Sequence, residues 1–377
     1  MRSLLLLALL AVPAAASAQS ASLPPAPAIA AKAYLLLDFN SGQWLAAHDP
    51  QQRVEPASLT KLMTAYVTFS ALKQKRIRPD QAVRVSERAW KAEGSRMFIE
   101  PRKPVTVEEL IQGMIVQSGN DACIALAETI AGSEEAFAEM MNRESQRLGL
   151  KNTHFVNATG LPHPQHYSTA QDLAELAAAL IRDYSEYYPY YSQRDYRYNN
   201  ITQSNRNRLL WTDPTVDGMK TGYTENAGYC LITSARRGER RLVSVVLGAA
   251  SEAQRAVESQ KLLNHGFRSY DSVRLWSGKE AVATLDVYKG SANRLKAGFL
   301  SDLHVAVPKG TREDQLKATF ESVQPVLAPV SLGQRVGTLR LTLDGKPLRE
   351  VPVVALEGVP IAGILGRGWD TLRLLFR

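Results

Sequence analysis

A serine and a lysine three residues apart are the first pair in this sequence whose types and spacing predict chemistry. Ser58 and Lys61 are the third and the last residue of the stretch Pro-Ala-Ser-Leu-Thr-Lys at 56–61. On a helix, residues three apart share a face, so the lysine amine comes within hydrogen-bond reach of the serine hydroxyl. A hydroxyl is a weak nucleophile until a neighbouring base takes its proton. Burial beside other cations lowers the pKa of a lysine, which can then serve as that base.

The residues around this pair predict a helix that begins close to the serine. Pro56 suits the first helical turn, where its missing N–H costs nothing. Apolar residues follow at helical spacing, namely Leu59, Leu62, Met63 and Tyr66. Ser58 is therefore expected near a helix N-terminus, where backbone amides favour developing negative charge. A Ser-x-x-Lys match alone is common on surface helices, so the pair needs support from elsewhere in the chain.

Two further motifs provide that support. Ser-Gly-Asn at 118–120 is expected at a tight corner between two helices, and Lys-Thr-Gly at 220–222 on a strand. Ser-x-x-Lys, Ser-Asp-Asn and Lys-Thr-Gly in this order are the signature of penicillin-binding proteins and class A β-lactamases, and here Ser-Gly-Asn replaces Ser-Asp-Asn. The sequence thus resembles the penicillin-recognising serine enzymes, and most closely the low-molecular-mass D-alanyl-D-alanine carboxypeptidases, which typically carry Ser-Gly-Asn. The longer stretches 56–64 and 117–123 match that subgroup closely.

The resemblance implies a role for each reacting residue. Ser58 would attack the substrate carbonyl, Lys61 would accept its proton, and Ser118 would relay a proton to the leaving amine. The backbone N–H groups of Ser58 and Tyr223 would form the oxyanion hole. Gly222 would leave room for a substrate backbone to approach the strand.

The resemblance also implies a set of residues that bind the substrate. Asn120 would hold the peptide amide, and Lys220 and Thr221 would meet the substrate carboxylate. The whole set is Asn120, Lys220, Thr221, Gly222, Tyr223, Arg255 and Arg206. The two arginines are second-rank candidates for the carboxylate. A solvent-exposed position is the alternative for each, because arginine is mostly exposed in folded proteins.

These roles imply a serine-type D-Ala-D-Ala carboxypeptidase. It would remove the terminal D-alanine from peptidoglycan stem pentapeptides through an acyl-enzyme, in cell-wall biogenesis. β-Lactam antibiotics would acylate it as inhibitors. The resemblance implies no cofactor and no metal.

Several alternatives share part of the pattern. A D,D-endopeptidase of the same family carries all three motifs, as would a protein that binds β-lactams or muropeptides with little turnover. A class A β-lactamase usually has a Glu-x-x-x-Asn run, which is missing between residues 118 and 220. A transpeptidase usually carries a large N-terminal module or a transmembrane anchor. The β-rich region and the C-terminal helix described below favour the carboxypeptidase.

Composition agrees with an enzyme of ordinary globular type. The chain has 377 residues, of which 45% are hydrophobic and 22% are charged, enough for two domains. Its net charge of +8 suits nucleic acid, an anionic membrane surface or an anionic polymer. The body of the chain has no zinc-ligand spacing and no RNA-binding signature, which disfavours nucleic acid as a partner.

The start of the chain predicts export. Arg2, an apolar run at 4–12 and a small-residue Ala-Ser-Ala site at 16–18 indicate a secretory signal peptide over 1–18. The apolar run is too short for a transmembrane helix. The Pro-, Ala- and Ser-rich segment 19–30 predicts a flexible N-terminus of the mature protein.

The body of the chain predicts an α/β (α+β) fold. Strand-length apolar runs occur at 33–38, 228–235 and 241–248, and a capping box at Thr106 opens a helix. We therefore expect a penicillin-binding carboxypeptidase domain at 31–270. By resemblance it is a β-lactamase/transpeptidase-like antiparallel sheet flanked by helices.

The remainder predicts a small all-β domain and a terminal helix. Strand-length runs over 275–358 and an Asp-Gly turn at 344–345 indicate hairpins. Over 361–377, apolar residues including Trp369 and Phe376 fall on one side and arginines on the other, as in a helix that lies in a membrane interface. By resemblance, this helix would attach the exported protein peripherally to the periplasmic face of the inner membrane.

Some residues allow more than one interpretation. Cys123 and Cys230 lie in apolar runs, so buried free thiols are preferred over the disulfide that export permits. His163 and His166 predict a surface loop rather than a metal site, because prolines bracket them and no third ligand is near. Packing is preferred over a glycan-binding face for the tyrosines crowded into 184–198.

Overall fold

The computed structural model describes residues 23–363. Those residues form two compact units, the first made of Pro25–Glu280 and Ser301–Lys309, the second of Ala281–Leu300 and 310–363. The predicted signal peptide and residues 364–377 of the predicted C-terminal helix lie outside the described residues. At 361–363 the helix prediction is wrong, because Ile361 forms a β-bridge with Gly290 and the Ala362 N–H donates to the Lys289 carbonyl at 2.8 Å. No helix between residues 23 and 363 is both long and apolar enough to cross a membrane.

The helices and strands of the described residues have the following bounds. The helices are α1 Lys61–Lys73, α2 Glu87–Trp90, α3 Val107–Gln112, α4 Asn120–Ala131, α5 Glu134–Arg147, α6 Ala170–Asp183, α7 Leu209–Thr212 and α8 Glu252–Ser269. The strands are β1 Ala33–Asp38, β2 Gln43–His48, β3 Ala82–Val83, β4 Val105–Thr106, β5 Asp195–Tyr198, β6 Ile201–Ser204, β7 Val216–Thr224, β8 Gly228–Arg237, β9 Arg240–Ala249, β10 Tyr270–Trp276, β11 Ala281–Tyr288, β12 Arg294–Gly298, β13 Leu303–Pro308, β14 Leu316–Ser322, β15 Val326–Leu327, β16 Arg335–Leu343 and β17 Lys346–Ala355.

The first unit is built on a five-stranded sheet in the order β2-β1-β9-β8-β7, with every neighbouring pair antiparallel. Helices cover both faces. Leu35 and Leu37 of β1 join the core shared by α1, α4 and α6, whereas Leu36 joins the core under α8. Because successive side chains point to opposite faces, a strand buried on both sides has the continuous apolar run seen in the sequence. The predicted fold class is confirmed.

The Ser58 and Ser118 motifs lie at helix ends, as predicted. Ser58 belongs to a 3₁₀ turn, Ala57–Thr60, that leads directly into α1. Thr106 opens α3 with the predicted capping box, in which Thr106 Oγ1 accepts from the Glu109 N–H and Glu109 Oε2 accepts from the Thr106 N–H. A π-helical turn then leads to Ser118, the corner before α4.

The second unit is a six-stranded sheet in the order β14-β16-β17-β12-β11-β15. All its described pairs are antiparallel except β11 with β15. The predicted Asp-Gly hairpin joins β16 to β17, with φ of 49° at Asp344 and 76° at Gly345, as a tight turn between two such strands requires. The predicted all-β character of this region is confirmed.

Three local predictions have mixed outcomes. Cys123 and Cys230 are free and buried, as preferred. Most of the crowded tyrosines pack inward, and Tyr184, Tyr188, Tyr191, Tyr196 and Tyr198 are buried. The surface-loop prediction holds for His163 but is wrong for His166, which is only 2% exposed. Spacing alone missed this burial because the contacts that cover His166 come from residues distant in the sequence.

Candidate active site

The turn that carries Ser58 has an unusual backbone. Ala57, immediately before Ser58, has a φ of 49°, a left-handed conformation that costs an alanine about 1–2 kcal/mol. The Leu59 N–H donates to the Pro56 carbonyl at 3.0 Å, which closes the turn. Ser58 itself stays partly exposed while its neighbours are buried. A strained turn of this kind can present a side chain outward from a packed helix end.

Lys61 is buried, with 1% of its surface exposed, and its amine has three polar contacts. Its Nζ lies 2.9 Å from Ser58 Oγ, 2.7 Å from Asn120 Oδ1 and 2.6 Å from the Thr159 carbonyl oxygen. The predicted Ser58–Lys61 contact is therefore present. The lysine is held from three different parts of the chain.

Burial lowers the pKa of Lys61 from 10.5 to about 8. The positive charge of Arg206 contributes to this decrease, and the carboxylate of Asp121 opposes it. Cys123 opposes it only as a thiolate, and burial raises the pKa of this thiol to about 12. Desolvation is therefore the main cause of the lowered pKa of Lys61, and about a tenth of the amine is neutral at pH 7.

The contacts of Lys61 decide where a neutral amine would direct its lone pair. A neutral amine has two hydrogens and one lone pair. Asn120 Oδ1 and the Thr159 carbonyl can only accept hydrogen bonds, whereas the Ser58 hydroxyl can also donate. The two hydrogens therefore go to Asn120 and Thr159, and the lone pair faces the Ser58 hydroxyl.

The second motif forms a tethered corner. The Gly119 N–H donates to the Gly113 carbonyl at 3.0 Å, and the Asn120 N–H donates to the Ser95 carbonyl at 2.7 Å. Asn120 Nδ2 also donates to the Glu93 carbonyl at 2.6 Å. The Asn120 side chain thus joins this corner to Lys61.

Ser118 combines a left-handed backbone with a buried hydroxyl, one of several among the described residues that have no hydrogen-bond partner. The backbone φ of Ser118 is 67°, and the residue is 2% exposed. Its Oγ has no hydrogen-bond partner among the described residues. An unsatisfied buried hydroxyl costs about 1–3 kcal/mol. A hydroxyl held this way is available to a bound ligand.

The third motif lies on β7, which runs directly beside the Ser58 turn. A Cβ on Gly222 would lie 3.2 Å from Ala57 Cβ and from the Pro56 carbonyl oxygen. A larger side chain there would push the strand from the turn. Glycine is therefore what allows β7 and the Ser58 turn to approach so closely.

Lys220 and Tyr223 flank that glycine in contrasting environments. Lys220 is 3% exposed, and its Nζ donates to the Thr221 carbonyl at 3.1 Å. Burial lowers the pKa of Lys220 well below its usual range, and the charges of Lys61 and Arg206 lower it further. Tyr223 is 51% exposed, with its ring 4.4 Å from that of Tyr229.

The two arginine candidates differ in exposure. Arg255 on α8 is 4% exposed, with one guanidinium nitrogen 3.5 Å from the Gly222 carbonyl and the other 3.5 Å from the Arg206 carbonyl. Burial lowers the pKa of Arg255. Arg206 has an exposed side chain. Arg255 is therefore buried, contrary to the solvent-exposed alternative, whereas Arg206 is exposed as that alternative predicts.

The sequence did not predict which residues bind Lys61 and Asn120. The Thr159 and Glu93 carbonyls bind Lys61 and Asn120, but a backbone carbonyl leaves no signature in a sequence. The Asp121 carboxylate, next to Asn120, accepts the N–H groups of Met97, Phe98 and Ile99. The Asp after Ser-Gly-Asn was the one available signal for this tether.

Family comparisons agree with this geometry. Residues 18–251 match the D-alanyl-D-alanine carboxypeptidase family, and residues 270–360 match the C-terminal domain of penicillin-binding protein 5. The D-alanyl-D-alanine carboxypeptidase DacC of Escherichia coli is 42% identical over 359 residues, 93% of this chain and 90% of that protein. DacA of Haemophilus influenzae is 43% identical, covering 92% of this chain and 90% of its own length.

Solved structures give the same result. Penicillin-binding protein 5 from Haemophilus influenzae superposes with a TM-score of 0.83 at 41% identity, covering 89% of this chain and 99% of that one. Penicillin-binding protein D2 from Listeria monocytogenes, in an ampicillin-bound form, has a TM-score of 0.60 at 29% identity, covering 65% of this chain and 100% of that one. The resemblance predicted from the three motifs is confirmed.

Proposed function

Since the chain belongs to the D-alanyl-D-alanine carboxypeptidase family, we propose that Ser58, Lys61 and Ser118 carry out the reaction of that family in this protein. The protein is a serine-type D-Ala-D-Ala carboxypeptidase of the penicillin-binding group, which β-lactams acylate. Its substrates are peptidoglycan stem peptides that end in D-Ala-D-Ala. The contacts described above support one role for each residue.

Acylation begins at Ser58. Its hydroxyl attacks the carbonyl of the penultimate D-alanine while the neutral amine of Lys61 accepts the hydroxyl proton. The observation that carries this assignment is the set of three contacts at Lys61 Nζ, because only Ser58 Oγ can donate to it. The backbone N–H groups of Ser58 and Tyr223 stabilise the oxyanion that forms.

Ser118 completes the first half of the reaction. Its hydroxyl relays a proton, donating its own to the nitrogen of the departing D-alanine and taking up the one that Lys61 accepted from Ser58; its buried position without a hydrogen-bond partner supports this role. Water then attacks the ester carbonyl of the acyl-enzyme and gives a proton to the neutral amine of Lys61, which passes it to the Ser58 oxygen as that oxygen leaves, and the shortened peptide is released. Asn120 holds the peptide amide during both steps.

The substrate carboxylate binds beside β7. Lys220 and Thr221 meet it, with Arg255 and Arg206 as additional cations. Burial disfavours the charge on Lys220, and a bound carboxylate would provide a favourable environment for that charge. Gly222 keeps β7 close to the Ser58 turn, so that the strand lies beside the nucleophile.

One experiment tests the nucleophile and the reaction together. The protein and its Ser58→Ala variant are incubated with a D-Ala-D-Ala pentapeptide, with a crosslinked muropeptide dimer, and with a fluorescent penicillin. We expect release of D-alanine and a β-lactam adduct on Ser58, both absent in the variant. An adduct of full intensity on Ser58→Ala would contradict the nucleophile. Cleavage of the dimer without D-alanine release would identify an endopeptidase, and an adduct without turnover would identify a binding protein.

The domain boundaries and the location in the cell belong to the same proposal. We assign 31–270 to the catalytic domain, 275–358 to the β-rich domain, and 1–18 to a signal peptide that directs export. The segment 361–377 attaches the protein to the periplasmic face of the inner membrane through its apolar side.

Ending the chain at Pro360 tests the attachment. We expect the shortened protein to move from the membrane pellet to the soluble periplasmic fraction with its activity on soluble peptides intact. Binding of the full chain to anionic vesicles should weaken with added salt, since the arginines of the segment contribute a screened attraction. A shortened protein that still pellets with membranes would contradict the proposal.

A further inference from the structure

The loop between α5 and α6, residues 148–169, contacts the Ser58 turn. Its Thr159 carbonyl accepts from Lys61 Nζ, and a Cβ on its Gly160 would lie only 1.8 Å from the Ala57 carbonyl oxygen. Asn157 Oδ1 fixes this part of the loop by accepting the N–H groups of Thr159 and Gly160 at 3.1 and 2.7 Å. The position of Lys61 relative to Ser58 therefore depends on how this loop is fastened to the turn.

His166, at the end of the same loop, provides a second fastening. It is 2% exposed, and its Nε2 lies 2.8 Å from Thr60 Oγ1. Thr60 is fully buried and lies between Ser58 and Lys61 in the sequence. The catalytic pair and its loop are thus joined by Lys61–Thr159 on one side and by Thr60–His166 on the other.

The other ring nitrogen of His166 fixes its tautomer. Nδ1 accepts the Val156 N–H at 3.2 Å, so it carries no hydrogen. Nε2 then carries the hydrogen of the neutral ring and donates to Thr60 Oγ1. Burial lowers the pKa of His166 to about 4, and the charges of His154, His163 and Lys61 act in the same direction, so the ring is neutral under the conditions of the reaction.

We infer that His166 is a positioning residue for the acylation step, acting through its hydrogen bond to Thr60. This inference rests on the roles proposed above for Ser58 and Lys61. His166 touches neither the substrate nor the reacting atoms. It holds the turn against the loop, so that the Lys61 amine keeps its contacts with Thr159 and Asn120 and its lone pair stays directed at Ser58.

Two substitutions at His166 test the hydrogen bonds rather than the volume of the ring. His166→Gln keeps one donor and one acceptor, whereas His166→Leu fills the site without either. His163→Leu, on the exposed part of the same loop, is the matched control. Each variant is mixed rapidly with a fluorescent penicillin at several concentrations, which separates the maximal acylation rate constant from the half-saturating concentration.

We expect His166→Leu to lower the maximal acylation rate constant about tenfold with little change in the half-saturating concentration, the loss expected when one net hydrogen bond leaves the reacting geometry. His166→Gln should recover most of the rate, and His163→Leu should match the unsubstituted protein. Thermal unfolding of each variant shows whether its fold is retained. A merely structural residue would change the unfolding temperature and leave the rate per folded molecule unchanged.

Thr60→Val keeps the test informative if His166→Leu fails to fold. It removes the acceptor of the hydrogen bond with almost no change in shape, and we expect the same loss of rate. The inference is overturned if folded His166→Leu or Thr60→Val is acylated at the normal rate, or if His166→Gln is as slow as His166→Leu. Absence of the adduct from Ser58 in the unsubstituted protein would instead defeat the proposed function, and this inference with it.

Discussion

The two units of this protein bury different kinds of side chain. The first buries ionisable groups, among them Lys61, Lys220, Arg255 and Asp121. Among the described residues of the second unit, the buried side chains are apolar apart from the tyrosine Tyr288. Charged groups are costly to remove from water, so their concentration in one unit indicates where the chemistry takes place.

The buried charges of the first unit differ in how they are stabilised. Burial raises the pKa of Asp121, and the four backbone N–H groups that its carboxylate accepts, including those of Met97 and Ala122, oppose that change. Burial lowers the pKa of Lys61 and Lys220, so their charged forms are also disfavoured. Asp121 is fixed by the backbone and ties the site together, whereas the two lysines are the groups proposed to react or to bind.

The largest expected effect comes from replacing the base without changing its charge. Lys61→Arg should lower the acylation rate constant by about 10²–10⁴-fold, because a guanidinium does not deprotonate in proteins. Stopped-flow labelling with a fluorescent penicillin measures this rate. Lys73→Arg, at the other end of α1, is the matched control and should be normal. An unimpaired Lys61→Arg would make Lys61 structural.

Two glycines with nearly the same φ sharpen the comparison between the units. Gly160 and Gly310 have φ of 85° and 82°, so an alanine has a similar backbone cost of about 1–2 kcal/mol at each. A Cβ at 160 meets the Ala57 carbonyl oxygen at 1.8 Å, whereas at 310 it meets nothing within 4 Å. We expect Gly160→Ala to lower acylation by more than tenfold, because the Ser58 turn must shift. Gly310→Ala should be acylated normally, and equal behaviour of the two variants would contradict this account of the loop.

The third prediction concerns the buried cation beside β7. Arg255→Ala should raise the KM for D-Ala-D-Ala peptides and lower kcat/KM about tenfold, since a charge-assisted hydrogen bond contributes about 1.5–3 kcal/mol. Steady-state release of D-alanine measures both constants. Arg268→Ala, an exposed position on the same helix, should leave them unchanged. Unaltered kinetics in Arg255→Ala would remove this residue from the binding site.

The smallest expected effect on activity comes from the second unit. Val353, on β17, is 0% exposed, and Val353→Ala should destabilise this unit by about 1–3 kcal/mol through lost packing. Urea unfolding measures that loss, and Val323→Ala, at an exposed position, should show none. At temperatures where the protein stays folded, D-alanine release from soluble peptides should be normal. A large loss of activity would contradict the confinement of the chemistry to the first unit.

The sequence predicts those parts of the site that reside in side-chain spacing. Ser58 and Lys61 meet because three residues span one turn, and Asn120 joins them because its motif follows a capped helix. The fold class follows from the apolar runs of β1, β8 and β9, and the β16–β17 hairpin from its Asp-Gly turn. In each case the relevant contact is local or belongs to a recognised motif.

The remainder depends on contacts between distant segments. The Thr159 carbonyl reaches Lys61 across 98 residues, and it has no side chain through which a sequence could signal that role. In the sequence, the polar and proline-rich neighbours of His166 predict an exposed loop residue. It is buried because Thr60, 106 residues away, packs against it. Exposure of a loop residue is set by the element on which the loop folds.

We propose that burial converts Lys61 into a base, and the pH dependence of acylation measures that conversion. The maximal acylation rate constant is measured at saturating β-lactam between pH 6 and pH 10, so that changes in binding drop out. Burial lowers the pKa of Lys61 to about 8, so the neutral fraction should rise through that pH. We expect the rate constant to increase about tenfold per pH unit below 8 and to level off above it. A rate constant independent of pH over this range, or one still rising toward the ordinary lysine value of 10.5, would contradict the account.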